Sequence, residues 1–435
     1  MTSVQAGPRR AARPRIGLFG LFGSGNIGND GSLEAMLAYI RATFPRAEVE
    51  VLCPGPKRVK AAFGVASVPV RWYIRHADGA SGFGAIALKT VGKIADPFRI
   101  AAWVRRQDVI IVPGTGILEA TLPLRPWGTP YELLSVCASG RLFRTKVALV
   151  SVGSNPVKQR LTRGVIAAAA RLANYRTYRD AQSRDALRRC GVDTSRDRLY
   201  PDIAFALPEP SSASRDVATE GRTVGVGVMA YFGGNDDRRH ASEMHLAYTD
   251  KMKTFVRWLV ETGHPVRLFT GDDVDASVVQ EIVADLEAHR PDLDPSWFVA
   301  EPVSSLTDLM RQMASVDMVV ATRYHNVVCA LKLGKPTVSI GYSGKNDALM
   351  ADCGLSDFCQ SARSLDIDKL IEQFTEMECR SGELVRAAAE RRKQYAQRID
   401  EQFSILSALI RPDGEVRGRA RGAHRAGSEM SRTTL

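Results

Sequence analysis

Short unbroken apolar runs along this chain alternate with longer stretches in which apolar positions recur every three or four residues. RIGLFGLF (15–22) is the first run. A glycine-rich GSGNIGNDGS follows, and then SLEAMLAYIRATF, which has helical spacing. Further runs at 48–53, 68–74, DVIIVPGTG (108–116), KVALVSVGS (146–154) and YRTYRD (175–180) read as strands. VIAAAARLA (165–173) is one of the helical stretches between them. Apolar strands that alternate with amphipathic helices predict a parallel sheet covered on both faces.

The pattern breaks at PEPSSASRDVATEGR (208–222), a polar stretch that reads as a linker, and then resumes. TVGVGVMAYF (223–232), PVRLFTGD (265–272), DMVVAT (317–322) and PTVSIGY (336–342) read as strands, with helices at 242–262 and 275–289. Residues 382–410 carry no internal proline and read as one long helix. The expected fold class is therefore α/β, GT-B-like: two Rossmann-like domains with a long C-terminal helix. The expected division is a basic disordered tail at 1–14, an N-terminal domain at 15–207, the linker at 208–222, a donor-binding domain at 223–380, the helix at 381–410 and a second basic tail at 411–435. In such an architecture the site lies in the cleft between the domains.

Composition changes this picture little. The chain has 435 residues, 45% hydrophobic and 25% charged, as a globular protein has. No run is long and apolar enough to span a bilayer, and MTSVQAGPRRAARPR lacks a secretory apolar core. Seven scattered cysteines, with no CxxC pair, fit free thiols in a reducing cytosol. The formal net charge of +11 sits largely in the ends, in Arg9, Arg10, Arg13 and Arg15 and in the arginines from Arg411 onward. Those segments are almost devoid of aromatics, which argues against a nucleic-acid groove. The expected location is the cytoplasm. The apolar, Lys- and Arg-spaced stretch 83–106 leaves contact with the inner membrane face open beside a buried amphipathic helix pair.

Candidate chemistry begins at the strand ends. GSGNIG has GxGxxG spacing, but Cys53 and Pro54 stand where a dinucleotide fold needs an acidic residue. Gly25, Asn26, Gly28, Asn29 and Asp30 are expected to line the cleft, as are Gly114, Thr115 and Gly116 after the 108–116 run; a plain tight turn is the competing reading. Arg179 stands at another strand end, where Asp180 or Ser183 caps the next helix. In 323 RYHNVV, Arg323 and His325 fall where a strand runs into a helix, the place where open α/β sheets bind ligands and helix N-termini favour anions. Lys345 follows the next strand and adds positive charge. The pairs Asp236–Asp237 and Asp272–Asp273 have no matching ligand set, so no metal is expected.

GNIGNDGSLEA (25–35), DVIIVPGTGIL (108–118), ALVSVGSNP (148–156), RDAQSRDALRRCGVD (179–193), PDIAF (201–205) and RYHNVVCALKLGKPTVSIGYSGK (323–345) together resemble the polysaccharide pyruvyl transferases. The last stretch is the most specific. Two departures stand out: Asn29 occupies the place of the family's aspartate, with Asp30 next, and PGTG replaces a longer glycine run.

The resemblance implies transfer of pyruvate from phosphoenolpyruvate onto two sugar hydroxyls as a ketal, with no cofactor beyond that donor. Arg323, Arg179 and Lys345 would bind the phosphate and carboxylate, since guanidinium pairs bidentately with both. His325 would act as general acid, because an imidazole titrates near neutrality. The implied partners are the donor and a sugar acceptor of the cell envelope, lipid-linked or not. A nucleotide-sugar glycosyltransferase of the same architecture, or a non-catalytic member of the fold, are the alternatives.

Overall fold

In the computed structural model, residues 13–72, 82–118, 126–210, 222–234 and 237–411 are described. Residues 1–12 and 412–435 of the two basic tails, residues 211–221 of the linker and Asp236 lie outside them.

The first sheet has seven parallel strands: β1 (Arg15–Phe19), β2 (Glu48–Cys53), β3 (Ala66–Pro69), β4 (Val109–Pro113), β5 (Lys146–Val152), β6 (Tyr175–Tyr178) and β7 (Arg198–Leu199), in the order β3-β2-β1-β4-β5-β6-β7. The second has six: β8 (Val224–Gly227), β9 (Val266–Phe269), β10 (Phe298–Val299), β11 (Met318–Ala321), β12 (Thr337–Gly341) and β13 (Cys359–Ser361), in the order β10-β9-β8-β11-β12-β13. Chain order reverses between β1 and β4 and again between β8 and β11. Both reversals are topological switch points, beside which ligands bind in such sheets.

Helices α1 (Ile27–Thr43), α2 (Pro56–Phe63), α3 (Gly82–Val104), α4 (Thr129–Phe143), α5 (Arg160–Leu172) and α6 (Ala181–Arg189) belong to the first lobe. Helices α7 (Ala241–Glu261), α8 (Ala276–His289), α9 (Leu306–Ala314), α10 (Tyr324–Lys332), α11 (Gly344–Asp352) and α12 (Ile367–Cys379) belong to the second, and α13 (Ser381–Ile410) joins the two.

Two apolar cores result. One lies under α3 to α6 and holds Ile100, Trp103, Leu133, Val136, Ile166 and Leu187. The other runs without interruption from Met36 and Leu37 of α1, through Ile203 and Phe205, to Leu309, Val327 and Leu406 of the second lobe and α13. The two lobes thus share a core along the α1 side. Far along α13, Gln402 is fully buried and donates to Ser151 Oγ and Thr177 Oγ1 of the first lobe, both at 2.9 Å.

The lobes also meet backbone to backbone. Ile27 N–H donates to the Gly271 carbonyl at 3.2 Å, and Asp273 N–H to the Gly25 carbonyl at 3.3 Å. The Asn26 amide donates to Asp272 at 3.0 Å, and Arg58 pairs with Asp273 at 2.6 Å.

The stretch 83–106 is part of a single helix, α3, with Pro97 inside it, rather than a pair. Ile100, Trp103 and Val104 are buried, whereas Val91, Ile94 and Phe98 face outward. Among the described residues no helix is long and apolar enough to cross a membrane.

Candidate active site

The glycine loop after β1 turns directly into α1. Asn26 is the reason: its side chain accepts the Gly28 and Asn29 N–H groups at 3.1 and 3.2 Å, which starts the helix five residues before the SLEA run. Gly23 (φ 70°) and Gly25 (φ 101°) adopt left-handed backbone angles there. Asp30 accepts the Gly23 N–H at 2.7 Å, so it braces its own loop; burial nonetheless raises its pKa. Gly28 is needed for space. A side chain on it would overlap the imidazole of His325, which packs against this turn from the opposite lobe.

His325 lies in the first turn of α10, just beyond β11. Its Nε2 is 3.9 Å from Oδ2 of Asp202, a fully buried carboxylate at the start of the turn Ile203–Ala206. The same oxygen accepts from Arg179 Nη1 at 3.1 Å, and the other takes the Ala204 N–H at 3.0 Å. Arg179 extends from the end of β6. Its guanidinium lies 4.4 Å from the centroid of the Tyr324 ring, and its Nε is 3.6 Å from Asp180. Asp180, not Ser183, caps α6, through the Ser183 N–H at 2.6 Å. Lys345 of α11 lies 5.2 Å from the Tyr324 ring and 5.1 Å from that of Tyr342. Arg179, Lys345, Tyr324 and Asp202 line one cavity of about 180 Å³ between the lobes, closed on its far side by Tyr395 and Arg398 of α13.

Arg323 behaves otherwise. Its Nε and one terminal nitrogen donate to Asp275 at 2.9 and 2.5 Å. Asp275 is fully buried and also receives the Ala230 and Gly271 N–H groups at 2.9 and 3.1 Å. Two of the three guanidinium nitrogens are thus committed to a structural carboxylate, and Arg323 stands outside the cavity that Arg179 and Lys345 line. Arg323 thus braces the start of α10, and neither it nor His325 is among the residues that line that cavity. Gly114 (φ 50°) and Thr115 are likewise not among the lining residues: Gly114 packs on Ile203 and Ser32, and Thr115 is buried. Gly116, Asn29 and Asp30 are partly exposed. Asp272 and Asp273 belong to the seam between the lobes. Among the described residues, no group of three or more His, Cys, Asp or Glu side chains is arranged to hold a metal.

Three residues here escape a reading of the sequence by strand ends. Asp202 stands in PDIAF, where the only signal is a proline-aspartate pair after a two-residue strand. Tyr324 looks like core filling between Arg323 and His325. Asp275 is hidden in the run DDVD, where only the fold separates the buried carboxylate from its exposed neighbours.

The two doubly wound sheets and the cleft they enclose define a GT-B-like α/β protein. The family description "polysaccharide pyruvyl transferase" matches residues 26–344, and the chain belongs to that family. No curated protein matches it. Solved structures share its fold at low identity. Anabaena HepE in complex with UDP superposes with a TM-score of 0.56 at 13% identity, covering 91% of this chain and 99% of that one. Neisseria meningitidis UDP-GlcNAc 2-epimerase bound to UDP-GlcNAc gives 0.56 at 9%, with coverages of 91% and 99%. The Methanocaldococcus jannaschii UDP-GlcNAc 2-epimerase gives 0.54 at 10%, with coverages of 84% and 92%.

Proposed function

We propose that this protein transfers pyruvate from phosphoenolpyruvate onto two hydroxyls of a sugar in a cell-envelope glycan or glycolipid, forming a ketal. The observation that carries this reading is the convergence of Arg179 and Lys345 on the Tyr324 ring in one cavity, with Asp202 in the same lining and His325 3.9 Å from Asp202. A donor that carries both a phosphate and a carboxylate needs fixed cations in a small cavity, and guanidinium suits both groups.

In this reading His325 delivers a proton to the methylene carbon, which becomes the methyl group. The central carbon, now electron-poor, takes the first sugar hydroxyl, whose proton leaves through a base or water. The carbon–oxygen bond to phosphate breaks with the electron pair on phosphate, and the second hydroxyl closes the ketal. Two hydroxyl protons balance the new C–H bond and the released hydrogen phosphate. Asp202, 3.9 Å away, would help position the imidazole.

The test is acceptor-dependent release of phosphate from phosphoenolpyruvate, screened over cell-envelope glycans and glycolipids. Release with at least one acceptor, lost in His325→Ala while donor binding stays measurable, is the expected result. Unchanged turnover in that variant would remove His325 from the mechanism. The competing reading is a nucleotide-sugar donor, because the similar folds above hold UDP or UDP-GlcNAc. Thermal stabilisation by UDP-sugars and none by phosphoenolpyruvate would favour it.

A further inference from the structure

The far wall of the cavity comes from α13, which otherwise reads as a strap between the lobes. Arg398 lines that wall together with Tyr395. Its Nη2 donates to the Leu199 carbonyl at 2.6 Å, which fixes the guanidinium beside the end of β7. Two neighbouring arginines of the same helix are matched to acids: Arg392 lies 2.6 Å from Glu209, and Arg391 lies 4.0 Å from Asp352. Arg398 has no carboxylate within 4 Å among the described residues.

The three carboxylates that line the cavity are engaged elsewhere. Asp202 serves Arg179 and the Ala204 N–H. Asp180 caps α6 beside Arg179. Asp352 accepts the Tyr395 hydroxyl and lies beside Arg391. A partly buried guanidinium, anchored by one hydrogen bond, faces a cavity and keeps donors to spare. Those spare N–H groups are placed to pair with an anion held in the cavity.

We propose that Arg398 is a ligand-binding residue, contacting one anionic group, phosphate or carboxylate, of the molecule held in this cavity. The helix that ties the lobes together then also helps hold the donor. This inference rests on the donor reading above only for the identity of the ligand. It predicts that the cavity is complete only when α13 is docked, because its cations come from β6, α11 and α13.

The experiment is isothermal titration of the full-length protein and of Arg398→Met, Arg398→Lys and Arg391→Met with phosphoenolpyruvate, inorganic phosphate, pyruvate and a UDP-sugar. Arg398→Met should weaken phosphoenolpyruvate roughly ten- to hundredfold. Arg398→Lys should fall between, because lysine keeps the charge without the planar fork. Arg391→Met should bind as wild type does. Whichever of phosphate and pyruvate loses affinity in Arg398→Met identifies the group contacted. If wild type binds the UDP-sugar and not phosphoenolpyruvate, a loss in Arg398→Met sustains this contact while the donor reading falls. Equal affinities in wild type and Arg398→Met, or no binding of any of the four compounds by wild type, overturn the proposal. Circular dichroism melts separate lost binding from lost folding, and an intermediate Arg398→Lys affinity with a wild-type melt answers any objection that the methionine variant is merely misfolded.

Discussion

Oδ2 of Asp202 lies 3.9 Å from Nε2 of His325, and Asp202 has no solvent exposure. The same oxygen carries Arg179, so one buried carboxylate links the proposed acid to a proposed donor contact. Asp202→Asn keeps the shape and removes the charge. Acceptor-dependent phosphate release should fall by roughly 10²-fold, the scale of losing effective general-acid catalysis. Stability should fall by about 1–3 kcal/mol in urea titration, because the buried Arg179 loses the nearer of the carboxylates beside it and keeps Asp180. A variant with wild-type turnover would show that Asp202 serves packing alone.

Gly28 and His325 are matched by shape. Adding one methyl in Gly28→Ala forces the imidazole out of its place. Helix propensity favours alanine by about 1 kcal/mol, which offsets part of the roughly 1–3 kcal/mol that overpacking costs, so the melting temperature should fall only modestly. Turnover should nonetheless drop by at least roughly tenfold through the misplaced acid. Equal kinetics in the two proteins would show that the ring has room to move without consequence.

Asp275 gathers Arg323 and two backbone N–H groups in the interior. Asp275→Ala strands all three at once. The expected loss is about 3–5 kcal/mol of folding free energy, the range for breaking a buried ion pair. Replacing Arg323 and Asp275 together by apolar residues should cost less than Asp275→Ala alone. Equilibrium denaturation of the two variants makes the comparison.

Lys332 donates from Nζ to the Phe205 carbonyl at 2.9 Å, and burial lowers its pKa below the ordinary 10.5. Between the lowered folded value and 10.5, the unfolded chain binds more protons than the folded one, so this residue makes stability rise with pH across that window. Below the folded value both states are protonated and the contribution is flat. From about pH 7 to about pH 10, wild type should therefore gain stability relative to Lys332→Met. Paired melts at the two pH values measure this, and a difference that stays constant would contradict it.

Long apolar strands and amphipathic helices were legible from periodicity alone. The run 382–410 matches α13 to within a residue, and the strands that begin at Arg15, Glu48 and Lys146 stand where the apolar runs begin. Strands β7, β10 and β13, of two or three residues, are too short to show a period, and neighbouring strands define them. The start of α1 was misplaced because Gly28 and Gly31 lower helix propensity. A side-chain cap and close packing of Gly31 against Leu306 outweigh that preference. At the site, Arg179, His325 and Lys345 could be picked out as cations at strand ends. Charge type shows nothing about which acid each one meets. Arg323 was one of three cations expected at the donor, and its bond to Asp275, 48 positions earlier in the chain, could not be read from the sequence.

The paired backbone hydrogen bonds between Gly25–Ile27 and Gly271–Asp273 join the two lobes. Because the two strand-end loops are bonded to each other main chain to main chain, an insertion or deletion in either one shifts the opposite wall of the cleft as well.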